Sequence, residues 1–342
     1  MPVYGLPPST YRDGGVARPE PSWPRRPVET AVVLGGGGNK GAAQVGMMRA
    51  LVEVGVEPDL LVGTSIGAIN GAAFAGMPTL DGVYLAADVW RRLAAADVFP
   101  RRRFQGTWRF LDKRASVFPT AGLRSIVAGS LRFERLEDAP VPLLVVATRL
   151  EDGKEEWFTE GPALDAIMAS AALPGLYPAV EMGGYRYFDG GVLDNVALSA
   201  ALSSGASRIY VLLCGRVDAA SPRFSRPFEV MFAAFTLALG ARIRRELAAV
   251  PPEVDVVVIE QPGAAIFDPL DFSRTDELVD SGYRAARDVL AEYERERRLG
   301  AGSGERGARG RLRRVTTRRR THASSGPNAA SRAEEPPLGS IE

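Results

Sequence analysis

Residues 29–51 read ETAVVLGGGGNKGAAQVGMMRAL and place a strand, a glycine loop and a helix in direct succession. The apolar run at 30–35 predicts a buried strand, and the pattern at 39–55 predicts a helix. Four consecutive glycines between them leave backbone N–H groups uncovered at a helix start, where an anion is stabilised. This stretch therefore predicts an anion site, either for a nucleotide phosphate or for the oxyanion of an acyl transfer.

The alternation of strand and helix continues through most of the chain. Further strands are predicted at 59–65, 141–150, 154–159, 185–191, 208–214 and 253–261, and further helices at 66–76, 162–173, 196–205, 228–240 and 274–298. Continuous Val and Leu strands between helices are typical of a mostly parallel sheet with helices on both faces. The sequence thus predicts an α/β fold in three layers, α/β/α, with a mostly parallel central sheet.

The two ends of the chain differ in composition from this body. Residues 1–28 are rich in Pro and Arg and predict an extended arm, and residues 300–342 predict a disordered Arg-rich tail. The tail has nine Arg and four Glu, a net of +5, and the whole chain carries +1, so residues 1–299 carry −4. We expect one domain over residues 29–299, with an insertion or lid at about residues 77–140.

The chain has one histidine, His322, and one cysteine, Cys214. A catalytic base needs a fixed position, which the tail around His322 does not offer. Ser-His-Asp triads, Cys-His pairs and HExxH metal sites are therefore excluded, as is a disulfide framework. Cys214 follows an apolar run and is expected to be a small core residue. No run reaches the roughly 18 apolar residues of a membrane span, and the N-terminus lacks the apolar segment of a signal peptide.

The glycine loop alone does not decide between the two anions. Gly36, Gly38 and Gly41 match the G-x-G-x-x-G pattern of dinucleotide-binding folds. That pattern also requires an acidic residue at the end of the next strand, but Thr64 and Ser65 stand there. A P-loop is excluded because Lys40 precedes Gly41 and no Ser or Thr follows in register. Nucleotide binding and an oxyanion site both remain open at this point.

Residues 63–67, GTSIG, match the G-x-S-x-G pattern between a strand and a helix. In such an elbow a serine stands on a sharp turn, and glycines at −2 and +2 remove Cβ atoms that would collide. This predicts Ser65 as a nucleophile, with Gly63 and Gly67 forming the turn. The alternative is that Ser65 merely caps the helix that follows. Since no histidine is usable, a carboxylate must activate Ser65.

Asp189 is the best candidate for that carboxylate. It ends the alternating strand YRYFD and precedes Gly190 and Gly191. The carboxyl end of a strand is where catalytic groups gather in α/β sheets, although Asp-Gly is also a common turn. Three other aspartates are weaker candidates, because no glycine-bounded turn follows a strand at their positions: Asp152, Asp165 and Asp194.

Three motifs in this order, GGGNKG at 36–41, GTSIG at 63–67 and DGG at 189–191, resemble those of the patatin-like phospholipases. The segment ASAALPGLYP at 169–178 is also similar to that family. The resemblance implies a Ser-Asp dyad of Ser65 and Asp189, with no metal and no cofactor. It also implies an oxyanion hole built from Gly36, Gly37 and Gly38. The remaining motif glycines are Gly41, Gly63, Gly67, Gly190 and Gly191.

One departure from the family pattern follows the third motif. Family members often carry Asn-x-Pro there, and this chain has Asn195, Val196 and Ala197. The replacement of proline by alanine affects the start of a helix more than the chemistry. We therefore expect the activity that the resemblance implies, hydrolysis of a carboxylic ester of a lipid or phospholipid.

Further expectations concern partners and location. Lys40 can position a substrate phosphate, although a solvated lysine is an equally good interpretation. Basic and aromatic residues alternate over residues 90–124, which predicts either a patch for an anionic membrane surface or an ordinary insertion. We expect a cytoplasmic location and no nucleic acid as a partner. The sequence leaves the oligomeric state open. The alternatives are a binding module that acts through the basic tail and a nucleotide-binding α/β domain.

Overall fold

The computed structural model describes residues 26–93, 95–98, 118–215, 227–262 and 271–302. Within these ranges eight strands form one sheet. The strands are β1 Thr30–Leu34, β2 Leu60–Thr64, β3 Leu143–Arg149, β4 Lys154–Phe158, β5 Val180–Met182, β6 Tyr185–Asp189, β7 Arg208–Leu213 and β8 Asp255–Glu260. The helices are α1 Ala42–Glu53, α2 Ile66–Gly76, α3 Leu80–Arg92, α4 Ala95–Val98, α5 Ala121–Ser130, α6 Ala163–Ser170, α7 Leu198–Ser203, α8 Pro227–Ala248 and α9 Thr275–Gly302.

The sheet is parallel along most of its width. Hydrogen-bonded neighbours follow the path β5-β6-β3-β2-β1-β7-β8, in which β6 and β2 pair with successive parts of one edge of β3, and β4 pairs with its other edge. Strands β3, β2, β1, β7 and β8 are mutually parallel, whereas β4, β5 and β6 pair in antiparallel fashion. Successive residues of the parallel strands point to opposite faces and are buried on both.

Two hydrophobic cores cover the two faces of the sheet. Leu34, Leu61 and Leu212 point to the face covered by α1, α2 and α9. Val33 and Val211 point to the opposite face, where α7 and α8 pack. This arrangement confirms the predicted α/β fold in three layers.

The pairing along β3 brings two distant parts of the chain together. Thr64, the last residue of β2, pairs with Val146, and Asp189, the last residue of β6, pairs with Ala147. Both Val146 and Ala147 have β4 on their other edge. Strands β2 and β6 therefore follow one another along a single edge of β3, and their carboxyl ends meet there.

Several element bounds differ from the predictions for local reasons. The helix predicted at 39–55 begins with a 3-10 turn at Gly38–Gly41, and α1 starts at Ala42. The helix predicted at 196–205 is shorter, because Ala197 has a φ of 46° and the helix starts after it. The helix predicted at 228–240 extends to Ala248, and Leu237 in it is 54% exposed. Helix α9 ends at Gly302, so the first residues of the predicted tail are helical.

Helices α3 and α5 were not predicted, because they fall in the region assigned to an insertion or lid. Their described residues pack on the core, including Val83 and Ala87 of α3 and Val127 of α5. Residues 1–25 of the predicted arm, 99–117 of the insertion and 303–342 of the tail, with His322, lie outside the described residues. The proposed domain division stays a prediction.

Candidate active site

Ser65 occupies the sharp turn between β2 and α2. Its backbone has φ 57° and ψ −125°, a left-handed conformation that is costly for a residue with a Cβ. Its N–H donates to Oγ of Ser170 at 2.8 Å. The Ser65 hydroxyl makes no capping hydrogen bond to α2. The alternative interpretation of Ser65 as a simple helix cap is therefore wrong, and the turn is the elbow that the motif predicts.

Close packing explains why glycines flank this turn. A Cβ at Gly67 would lie 2.0 Å from the carbonyl oxygen of Leu34, so only glycine lets α2 start this close to β1. A Cβ would come within 3.0 Å of a neighbouring atom at every further motif glycine, namely Gly41, Gly63, Gly190 and Gly191. The motif glycines thus serve the close approach of the segments that form the site.

Asp189 lies directly against the serine. Oγ of Ser65 donates to Oδ2 of Asp189 at 2.6 Å, and the N–H of Gly191 donates to Oδ1 at 2.8 Å. Oγ1 of Thr148 donates to the Asp189 backbone carbonyl at 3.0 Å. The aspartate is 2% exposed, and no cation among the described residues pairs with it. The two residues that the motifs predicted as a dyad are therefore in hydrogen-bond contact.

The environment makes Asp189 a better base than an exposed aspartate. Burial raises its pKa to about 6, because the charged carboxylate loses its hydration. The hydrogen bonds from Ser65 and Gly191 oppose this rise of the pKa, because they stabilise the anion. The carboxylate is thus ionised at neutral pH and more basic than a free one. The arrangement can take a proton from the Ser65 hydroxyl as that hydroxyl attacks an electrophile.

The glycine loop lies beside this pair, and its amides are not equivalent. The N–H of Gly36 donates to the carbonyl of Asn195 at 3.0 Å, and Nδ2 of Asn195 donates to the Gly36 carbonyl at 3.3 Å. Gly36 is buried, whereas Gly37 and Gly38 are exposed. In the described part of the chain neither Gly37 nor Gly38 donates its N–H to another group. The expectation that Gly36 also supplies a donor is corrected, because its amide is already engaged.

Lys40 is half-buried at the end of the glycine loop rather than fully solvated. Burial lowers the pKa of its ammonium, and the nearby Cys214 opposes this shift. Cys214 is buried as predicted, and burial raises the pKa of its thiol to about 12. Neither side chain is shown in contact with Ser65 or Asp189.

The three weaker aspartate candidates all form ion pairs. Asp152 pairs with Arg149 at 2.8 Å, and Asp165 pairs with Arg124 at 2.8 Å. Oδ2 of Asp194 lies 2.6 Å from Arg242. None of them is bonded to Ser65, so of the four candidate aspartates Asp189 is the one in hydrogen-bond contact with the serine.

The segment after the third motif is built around Asp194. Its Oδ1 accepts hydrogen bonds from the N–H groups of Val196 at 3.2 Å and Ala197 at 2.7 Å. A proline at position 197 would lack this N–H and cannot reach a φ of 46°. The departure from the family's Asn-x-Pro therefore matches the local backbone of this chain.

The predicted surface patch at 90–124 is described only in part. Trp90 is buried, and its Nε1 donates to Oδ1 of Asn70 at 3.0 Å. Phe118 packs against Tyr177, with ring centroids 6.5 Å apart. Trp90 is therefore part of the protein interior, whereas Phe118 is partly buried against the core.

Sequence reasoning missed the polar residues that support Ser65 and Asp189. Ser170 and Thr148 are buried, and each forms a hydrogen bond with the backbone of one of these two residues. Asn195 ties the third motif to the glycine loop. The available signal was a small polar residue inside an otherwise apolar segment, as in AIMAS and LLVVAT.

Two further findings concern ligands and membranes. In the described ranges no three His, Cys, Asp or Glu side chains lie close enough together to hold a metal ion. No helix in those ranges combines the length and the apolar character needed to cross a bilayer.

Comparison with known proteins places this geometry in context. Residues 32–202, half of the chain, match the model of the patatin-like phospholipase family. The chain is 30% identical over 190 residues to patatin-like phospholipase domain-containing protein 7 of Rattus norvegicus, covering 55% of this chain and 14% of that protein. It is 31% identical over 201 residues to lysophospholipase NTE1 of Mycosarcoma maydis, covering 56% and 10%. VipD from Legionella pneumophila superposes with a TM-score of 0.41 and 15% identity, covering 78% and 67%.

The chain thus spans only 10–14% of the length of these two relatives. The matched region nevertheless contains all three motifs, with Ser65 and Asp189 in hydrogen-bond contact. On this match, the chain belongs to the patatin-like phospholipase family.

Proposed function

We propose that this chain hydrolyses a carboxylic ester of a lipid through a Ser65–Asp189 dyad. The observation that carries the proposal is the 2.6 Å hydrogen bond from Ser65 Oγ to a buried aspartate without a cation partner among the described residues. The relatives named as phospholipase and lysophospholipase support a phospholipid or lysophospholipid as substrate.

In the first half of the reaction, Asp189 accepts the Ser65 proton while Oγ attacks the acyl carbonyl. The tetrahedral oxyanion is stabilised by the N–H groups of Gly37 and Gly38, with Ile66 as a further donor at the start of α2. Each such donor contributes about 3 kcal/mol to transition-state stabilisation. Collapse of the intermediate transfers the proton to the leaving alcohol and leaves an acyl-serine.

In the second half, water attacks the acyl-serine and Asp189 again takes the proton. The fatty acid leaves, and Ser65 recovers its hydrogen. The reaction needs no histidine, which agrees with the absence of histidine from the first 321 residues of the chain.

A nucleotide-binding α/β domain explains the glycine loop alone. It does not explain why Ser65 is held in a strained backbone conformation against Asp189. We therefore favour the oxyanion interpretation of the loop. A binding module that acts through the basic tail predicts no turnover that depends on Ser65.

The proposal is tested with a serine-reactive fluorophosphonate and with two esters, p-nitrophenyl butyrate and 1-acyl lysophosphatidylcholine. We expect the probe to label Ser65, as located by peptide mapping, and the full chain to hydrolyse at least the lysophospholipid. Ser65→Ala should lose both labelling and hydrolysis while its circular dichroism spectrum stays unchanged. Hydrolysis that survives in Ser65→Ala would disprove the dyad.

Contacts with the lipid headgroup and the membrane form a secondary proposal. If Lys40 holds a substrate phosphate, Lys40→Met should raise KM for lysophosphatidylcholine and leave KM for p-nitrophenyl butyrate unchanged. An equal change for both esters would contradict that role. Sedimentation with vesicles that contain or lack anionic lipid tests the expected peripheral membrane contact of a cytoplasmic protein.

A further inference from the structure

The two ends of the glycine loop are held by buried amide side chains. Nε2 of Gln44 donates to the carbonyl of Gly35 at 2.7 Å, where β1 ends. Nδ2 of Asn70 donates to the carbonyl of Gly41 at 2.9 Å, where α1 begins. The exposed amides of Gly37 and Gly38 lie between these two fixed points. The position of both amides therefore depends on how firmly the ends are held.

The two amide side chains form one continuous chain of hydrogen bonds. Nε1 of Trp90 donates to Oδ1 of Asn70 at 3.0 Å, and Nδ2 of Asn70 also donates to Oε1 of Gln44 at 2.9 Å. Nε2 of Gln44 reaches the carbonyl of Leu212 at 3.1 Å. Gln44, Asn70 and Trp90 are at most 5% exposed, so a lost partner is not replaced freely by water.

The indole of Trp90 sets the donor-to-acceptor direction of this series of hydrogen bonds. A Trp Nε1 can donate but cannot accept, so the group of Asn70 that faces it must be the carbonyl oxygen. The amide nitrogen of Asn70 must then face Gly41 and Gln44. Trp90 is held in place by stacking on Phe272, with ring centroids 6.3 Å apart. The orientation of Asn70 is thus fixed from outside the loop.

Asn70 belongs to α2, the helix that begins immediately after Ser65. The same helix therefore carries the nucleophile at its start and holds the far end of the glycine loop one turn later. On the proposed function, we infer that Asn70 is a positioning residue, which with Gln44 and Trp90 holds the Gly37 and Gly38 amides in register with Ser65. It touches no reacting atom and acts only through the loop.

This role predicts a specific kinetic signature. The oxyanion forms only in the transition state, so a displaced loop weakens transition-state binding and leaves ground-state binding intact. A displacement of about 1 Å in a catalytic group can cost about 100-fold in rate. We expect Asn70→Leu to lower kcat by about 10- to 100-fold, with KM changed by less than about twofold.

The experiment uses the full chain with Asn70→Leu, Gln44→Leu and the double variant. Trp90→Phe is the mildest change, since it removes one N–H and keeps a ring against Phe272. The matched control is Phe74→Leu, because Phe74 lies in the core on the same helix and makes no hydrogen bond to the loop. For each variant we would measure kcat, KM, Tm and the Ki of a trifluoromethyl ketone that carries the substrate's acyl chain and forms a tetrahedral adduct with serine.

We expect kcat to fall and the ketone Ki to rise together in the Asn70 and Gln44 variants, and less so in Trp90→Phe. The double variant should lose about as much kcat as the more damaging single variant, because both substitutions break the same series of hydrogen bonds. Phe74→Leu should lower Tm and leave kcat and Ki unchanged. If Asn70→Leu does not fold, Trp90→Phe and Gln44→Leu carry the same test.

Two outcomes overturn the inference. One is wild-type kcat and Ki in a folded Asn70→Leu or, where that variant does not fold, in Gln44→Leu. The other is a loss of kcat in Phe74→Leu that matches the loss in a loop variant of equal Tm. Failure of the proposed function is recognised separately, since the unaltered chain would then show no fluorophosphonate label at Ser65.

Discussion

Asp189 and Asp194 stand five residues apart, and both are almost fully buried, yet the structure surrounds them differently. Asp189 accepts hydrogen bonds from a hydroxyl and a backbone amide, and no described cation approaches it. Asp194 accepts two backbone amides and pairs with Arg242, which also binds Glu155 and the Leu193 carbonyl.

The difference shows how the surroundings of a carboxylate decide its use. An anion that is buried without a counter-charge is destabilised, so its affinity for a proton rises. A carboxylate that accepts backbone N–H groups and pairs with a guanidinium fixes the local backbone instead. Asp189 is therefore suited to act as a base, and Asp194 is suited to hold the segment that carries Asn195 against the glycine loop.

The largest expected effect concerns activity. Asp189→Asn should lower kcat/KM by at least about 10³-fold, because the amide cannot take the Ser65 proton. Asp194→Asn should retain activity within about tenfold, because that residue does not touch the reacting atoms. Both are measured with the same ester at pH 8. If a folded Asp194→Asn lost kcat/KM as deeply as Asp189→Asn, the two aspartates would not differ in role.

The second expected effect concerns the stability of the Asp194 segment. Ala197→Pro should lower the free energy of unfolding by about 3 kcal/mol or more, because proline removes the N–H bound to Asp194 and cannot adopt a φ of 46°. Urea unfolding measures this loss. Ala197→Gly is the matched control, since glycine keeps the N–H and reaches positive φ without strain. A fully stable Ala197→Pro would show that the Asp194 cap is dispensable.

The third expected effect also concerns the free energy of unfolding. It is smaller, and it is a gain in stability rather than a loss. The pKa of Asp189 is raised from 3.8 to about 6, so folding favours its protonated form. The contribution of this group to stability is complete below pH 3.8 and is lost as pH rises through about 6. At pH 8 the buried anion should cost up to about 3 kcal/mol, since one pKa unit corresponds to about 1.4 kcal/mol.

Asp189→Asn removes that cost and should therefore be more stable than the unaltered chain at pH 8. The gain should shrink at pH 4.5, where most of the native carboxyl is already protonated. Urea unfolding of both proteins at the two pH values tests this. A variant that is less stable at pH 8 would mean that Asp189, like Asp194, serves mainly to hold the local backbone.

The sequence was sufficient for the class of fold and for naming the two side chains, Ser65 and Asp189, that the structure brings into hydrogen-bond contact. The Val and Leu runs of β1, β2 and β7 predicted buried parallel strands, and the glycines around Ser65 predicted a sharp turn. These signals are local, since each depends on residues within a few positions. Helix α3 was missed although Thr79 caps it and Asp81 lies in its first turn, because its residues fall in the region assigned to an insertion or lid.

The contact between Ser65 and Asp189 could not be derived from spacing alone. It depends on β6 pairing antiparallel with the end of β3, so that Ala147 pairs with Asp189 directly after Val146 pairs with Thr64. The engaged amide of Gly36 depends in the same way on the distant Asn195. Such pairings are set by tertiary packing. The resemblance to a family anticipated the contact between Ser65 and Asp189, but it did not anticipate the engaged amide of Gly36.

The pH dependence of kcat/KM tests most directly whether the buried Asp189, which pairs with no cation among the described residues, serves as the base. For the unaltered chain and a water-soluble ester, we predict an acid limb of a single proton, with its midpoint at about pH 6, set by the pKa of Asp189. Below that midpoint the rate should fall about tenfold per pH unit. A profile that stays flat down to pH 4.5 would contradict the account, because Asp189 would then not be the group that takes the Ser65 proton.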